Sequence, residues 1–91
     1  MKLSNKQKDV IFSLKDYSLS YISCHHYENG VLSYIFWGRD GGFERLNKLM
    51  VTSLIKKQII EKRSDISYPV YTGHEVTIFK LTEIGNQINV D

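Results

Sequence analysis

Two runs rich in Tyr, Ile, Val, Phe and Trp, spanning residues 20 to 27 and 31 to 37, stand on either side of Glu28-Asn29-Gly30. Asn-Gly between such runs is a strong short-range hairpin signal, because a tight two-residue turn needs positive φ at both central positions. The pattern predicts two antiparallel strands with Asn29 and Gly30 at the turn. Alternation in the runs is incomplete; Ile22, Cys24, Leu32, Tyr34 and Phe36 form one inward-facing set.

Helical patterns lie on both sides of this hairpin. Ser4 precedes a run with Gln7 three residues on, so each can satisfy a free backbone group of the other at a helix start. Val10, Ile11 and Leu14 then share one side, leaving Lys6, Lys8, Asp9 and Lys15 to water, and the helix is expected to end near Lys15. After the break at Gly38-Arg39-Asp40-Gly41-Gly42, helical spacing is read from Phe43 through Leu46, Leu49, Met50 and Leu54, most securely over Leu49 to Lys57. The spacing leaves open one helix or a short helix, a turn and a longer helix.

A second hairpin is expected from Ile66 to Tyr71 and Glu75 to Leu81 around Thr72-Gly73-His74, with Pro69 confining the first strand to an edge or margin. Within the second strand, Thr77 and Phe79 are read as the outward alternates of Val76 and Ile78. Thr82 caps a short last helix carrying Ile84 and Ile88. Ninety-one residues with one core and no long linker read as one domain, residues 1–91.

Net charge is +2, unevenly spread. Residues 39 to 63 carry seven cations against three acids, whereas residues 64 to 91 carry only Lys80 against four acids. The positive potential therefore belongs to the middle of the chain. Cys24 is the single cysteine, so no internal disulfide is available, which fits a reducing, cytoplasmic setting. No apolar stretch reads as a signal sequence or membrane span.

Cys24-His25-His26 is the one cluster suggesting a metal or a nucleophile. Adjacent strand residues face opposite sides and no nearby ligand completes a tetrahedral set, so a core cysteine beside partly exposed histidines is the better reading, with no metal and no cofactor. The glycines around Arg39-Asp40 lack the Lys-Ser/Thr ending of a phosphate loop, and no pair of carboxylates is set for acid-base work. The expectation is a binding protein rather than an enzyme.

A helix, a polar segment, the basic helix ending in Leu54-Ile55-Lys56-Lys57-Gln58-Ile59-Ile60-Glu61-Lys62, two strands and Phe79-Lys80-Leu81-Thr82-Glu83-Ile84-Gly85 together resemble the winged helix-turn-helix superfamily of bacterial and phage DNA-binding proteins. Residues 49 to 85 carry most of this resemblance. The aromatic hairpin departs from the commoner regulators, and the order of elements distantly resembles a small family containing a topoisomerase-inhibiting toxin. The expected fold is α+β, a winged helix-like domain with an additional hairpin in its N-terminal half.

The resemblance implies a cytoplasmic, sequence-specific protein for double-stranded DNA, a small transcriptional regulator whose basic helix is the recognition helix. Four-residue steps set Lys48, Thr52 and Lys56 on one row of that helix and Ser53 and Lys57 on the next, opposite Met50 and Leu54. Arg45 is expected to approach the DNA backbone from before the helix, with His74 and Lys80 on the wing. The five aromatics of the first hairpin exceed what a small core covers, so Tyr27, Tyr34 and Trp37 are candidates for a homodimer or partner surface. The alternative is a non-enzymatic protein-interaction module, or an inhibitor of a DNA-processing enzyme, on the same scaffold.

Overall fold

The computed structural model describes residues 2–39, 42–63 and 75–89. Their order is α1 (Asn5–Asp16), β1 (Tyr21–His26), β2 (Leu32–Trp37), β3 (Phe43–Leu46), α2 (Lys48–Lys56), β4 (Ile60–Lys62), β5 (Glu75–Leu81) and α3 (Glu83–Asn86). The five strands form one antiparallel sheet in the order β3-β2-β1-β5-β4. Three helices and this sheet make an α+β, winged-helix-like topology, with β1 and β2 as the extra hairpin.

The first helix begins as its sequence predicts. The Ser4 hydroxyl accepts from the Gln7 N–H at 3.1 Å, and the Gln7 side chain accepts from the Ser4 N–H at 2.9 Å, closing a capping box. Gln7 is itself buried, its amide reaching the Met50 carbonyl of α2 at 3.3 Å. Val10, Ile11 and Leu14 of α1 and Val51 and Leu54 of α2 join Ile22, Cys24, Tyr34, Leu46 and Ile60 in one core. Both helices thus cover the same face of the sheet. Leu32 and Phe36, from the expected inward set, pack against that core.

The turn between β1 and β2 differs from the two-residue form. Gly30 N–H bonds the Tyr27 carbonyl and Tyr27 N–H bonds the Val31 carbonyl, both at 3.0 Å. Of the turn residues only Gly30 has positive φ, at 82°. Glu28, Asn29 and Gly30 therefore form a three-residue loop, in which a tight turn is followed by one left-handed residue. Asn29 contributes its side chain instead, accepting from the Val31 N–H at 3.1 Å.

Phe43–Leu46 is a strand, not the start of a helix. Phe43 and Arg45 point to one face and Glu44 and Leu46 to the other, so apolar residues three apart, which mimic a helical stripe, are here a strand followed by a cap. Asn47 supplies that cap, accepting from the Leu49 N–H at 2.8 Å and the Met50 N–H at 3.4 Å. No helix therefore immediately precedes α2, and the helix-turn-helix element of the expected fold is replaced by strand-cap-helix.

Past the cap residue Lys57, α2 ends with Gln58 in the left-handed region, φ 61°. Gln58 N–H bonds the Ile55 carbonyl and Ile59 N–H bonds the Leu54 carbonyl, each at 3.0 Å, satisfying two otherwise free carbonyls. The chain then enters β4 at Ile60, earlier than the expected Ile66–Tyr71 strand, which lies outside the described residues, as does the Thr72-Gly73-His74 turn.

In β5 Ile78 is buried as expected, though on the side away from the helices, while Thr77 and Phe79 are not outward. Phe79 stands opposite Ile22 and Thr77 opposite Cys24, so these two share the helix-covered face, and Phe79 packs against the core. In α3 the Thr82 hydroxyl accepts from the Gly85 N–H at 2.9 Å as expected, but Ile84 is exposed, and Gly85 and Ile88 make the inward contacts. A Cβ on Gly85 would overlap the Ile59 carbonyl oxygen, which accepts the Thr82 N–H at 2.9 Å.

Two stability measurements follow from this packing. Leu54 is fully buried, so Leu54→Ala is expected to lower unfolding free energy by about 2–5 kcal/mol in chemical denaturation. An unshifted midpoint would contradict its core position. Gln58→Gly is expected to raise stability by about 0.5–1 kcal/mol, because glycine adopts positive φ without steric cost. A destabilised Gly variant would show instead that the glutamine side chain supports this joint.

Candidate nucleic-acid interface

The nine residues of α2 make a helix about 13.5 Å long, with Val51 and Leu54 fully buried and Met50 and Ile55 packed at the margins of the core. That orientation turns the opposite row outward. Lys48, Leu49 and Lys56 are exposed, and Thr52 and Ser53 are partly exposed between them. Leu49, Thr52, Ser53, Ile55 and Lys56 line a shallow depression along this face. The Thr52 hydroxyl donates to the Leu49 carbonyl at 3.2 Å, which holds its methyl and oxygen in one orientation.

Lys57 belongs to a different environment. It is the cap residue of α2, and its ammonium donates to the Lys2 carbonyl at 2.8 Å. Its charge therefore sits beside the start of the chain rather than in the Lys48–Thr52–Lys56 row. Lys80 is likewise turned away, donating to the Ser18 carbonyl in the α1–β1 connection at 2.6 Å. His74 lies outside the described residues.

Arg45 is exposed on β3, and its pairing with Ile35 places it on the face of the sheet opposite the helices. At the end of β3, Arg45 and Lys48 both border an open cleft with Tyr27, Ser33 and Tyr34. The structure thus brings together Lys48, Thr52, Ser53 and Lys56, with Arg45 at one end. Sequence reasoning missed Leu49, whose 78% exposure puts an apolar side chain within the polar face. An apolar residue at the first turn of an otherwise polar row was the available signal.

The three residues assigned to a partner surface separate. Tyr27 is 42% exposed, Trp37 is half-buried, and Tyr34 is a core residue with 6% exposure. Tyr34 therefore has almost no surface to offer. It stands instead directly across from Cys24 on the helix-covered face. Burial pushes the Cys24 thiol above its ordinary range, and Tyr34 and the positive Lys48 only partly oppose this. Burial likewise raises the Tyr34 hydroxyl, reinforced by its neighbour Cys24.

Cys24, His25 and His26 do not converge. His26 Nε2 lies 3.1 Å from the Thr77 hydroxyl on the helix-covered face, whereas His25 Nε2 lies 2.9 Å from Ser23 Oγ on the other. Among the described residues no group of three or more His, Cys, Asp or Glu is placed to hold a metal ion, and no helix is long and apolar enough to cross a membrane.

A buried thiol held mostly protonated reacts slowly with disulfide reagents. Labelling of Cys24 at mildly alkaline pH is expected to be at least roughly a hundredfold slower in the native protein than in denaturant, because it waits for an opening of the core. Equal rates would contradict its burial. Compared with known proteins, the chain matches no family model, no curated protein and no solved structure, so its functional reading rests on the geometry of α2 and the sheet.

Proposed function

We propose that the protein binds double-stranded DNA in a sequence-dependent way through the outward face of α2, as a small transcriptional regulator. One observation carries this reading: Lys48, Thr52, Ser53 and Lys56 share the solvent side of a helix whose other side, Val51 and Leu54, is buried without exposure. A single helix of this width enters the major groove, where lysines meet phosphate or guanine and a threonine methyl or hydroxyl meets a base edge. Arg45 adds a phosphate contact from the end of β3. The local charge is modest, so one copy binds weakly, and a homodimer on an inverted repeat supplies the remaining affinity.

The exposure of Leu49 within the same face favours a second reading, in which α2 docks on a protein partner such as a DNA-processing enzyme. The two readings separate on charge. Replacing Lys48 and Lys56 together by Ala is expected to leave the circular dichroism unchanged, weaken duplex binding and reduce its logarithmic salt slope by about 1–2 units. Thr52→Ala is expected to weaken the preferred sequence more than random duplex. Undiminished affinity and salt slope in the double lysine variant would remove α2 as the DNA-contacting element. Absence of wild-type duplex binding at low salt would favour the protein-partner reading.

A further inference from the structure

The face of the sheet turned away from α1 and α2 carries a second arrangement, an aromatic row that the α2 reading does not use and that shares with it only Arg45. Register sets Trp37 of β2 directly between Tyr21 of β1 and Phe43 of β3. The rings meet, with centroids 6.1 Å apart for Tyr21–Trp37 and 5.3 Å for Trp37–Phe43. Phe43, at the edge, is 69% exposed, and Trp37 remains partly exposed. The indole is held in place because its N–H donates to Ser23 Oγ at 2.8 Å.

Cations flank this aromatic row. Arg45 lies two residues beyond Phe43 on the same strand and face, about 6.8 Å along it. Lys80 stands across the sheet opposite Glu61 of β4, beyond the Tyr21 end of the row. Among the described strand residues of this face, Arg45 and Lys80 are thus set against the single carboxylate of Glu61. Neither helix covers the Trp37–Phe43 side.

We infer that this face binds single-stranded nucleic acid, with unpaired bases stacking on Trp37 and Phe43 and the adjoining phosphate meeting Arg45. Stacking is open to every base, whereas the paired bases of a duplex have both faces occupied by their neighbours. A nucleic-acid strand also supplies one negative charge for each stacked base, matching the cationic margin. Burying the same face against a second copy would desolvate Arg45 with only that copy's Glu61 on the same face to offset it. The rings need little reorganisation, since Trp37 is already fixed by Ser23.

Trp37 is the only tryptophan, so its fluorescence reports on this face alone. The full chain is titrated at low salt with oligothymidylate and oligouridylate of about ten nucleotides, a length within single-strand site sizes. Saturable quenching is expected. Phe43→Ala should weaken binding by roughly fivefold to a hundredfold, and Arg45→Ala should lower the salt slope by about 0.7. Both side chains are exposed, so circular dichroism should show intact folds. The Lys48, Lys56 double variant should quench as wild type does, which separates this surface from the one proposed on α2.

Absence of quenching, or unchanged affinity in the Phe43→Ala variant, would overturn the inference. Loss of quenching in the double lysine variant would also overturn it, by showing one nucleic-acid surface centred on α2. A mass that doubles with concentration while Trp37 becomes shielded from iodide would assign the face to a second copy.

Discussion

Strand β1 is buried on both sides, and the arrangement of the other elements depends on that. It lies at the centre of the sheet between β2 and β5, with Ile22 and Cys24 facing the helices and Ser23 and His25 facing the opposite side, all four buried. Two polar side chains at such a position need partners, since a buried unpaired group costs about 1–3 kcal/mol. Trp37 donates to Ser23 Oγ, and Ser23 Oγ in turn lies 2.9 Å from His25 Nε2. Satisfying the centre of the sheet therefore also orients the indole at its surface. The helix-covered side is bound into a single core by Val10, Ile11, Val51 and Leu54.

A second constraint aims α2. The left-handed Gln58 reverses the chain after the helix, and the Ile59 carbonyl then receives the Thr82 N–H that closes β5 into α3. Gly85 permits this approach because any larger residue would collide with that carbonyl. Capping at Asn47 and the turn at Gln58 fix both ends of a nine-residue helix. With Val51 and Leu54 inward, Lys48, Thr52, Ser53 and Lys56 have no other direction to face. The outward row thus follows from packing at the helix ends as much as from helical periodicity.

Local, reciprocal signals were legible in the chain. Ser4 with Gln7, Thr82 with Gly85 and the two runs around Asn29-Gly30 each specify a nearby hydrogen bond or turn, and each forms, the last as a three-residue loop instead of the two-residue turn. What was illegible depends on long-range pairing. Leu46, Leu49 and Met50 are spaced as on a helix, yet β2 draws Phe43–Leu46 into the sheet before Asn47 starts α2. Five apolar residues stand among the nine of α2, and where spacing set Met50 and Leu54 inward the sheet buries Val51 and Leu54 and leaves Met50 at the margin. Double-sided burial of β1 removed the alternation that would have fixed its facing. At the site, the Lys48–Thr52–Lys56 row was readable from spacing, whereas the attachment of Lys57 to the Lys2 carbonyl and of Lys80 to Ser18 was not, because each crosses more than fifty residues.

In this winged-helix-like scaffold the exposed row of α2 carries two ammonium groups, two hydroxyls and one leucine, the face proposed to meet DNA. Amide chemical-shift mapping by nuclear magnetic resonance during titration with a short duplex tests this most directly. The largest perturbations are expected on Lys48 to Lys56, with Arg45 beside them, leaving the Glu28–Gly30 turn unmoved. Perturbations centred on that turn or on α1, with α2 silent, would contradict it.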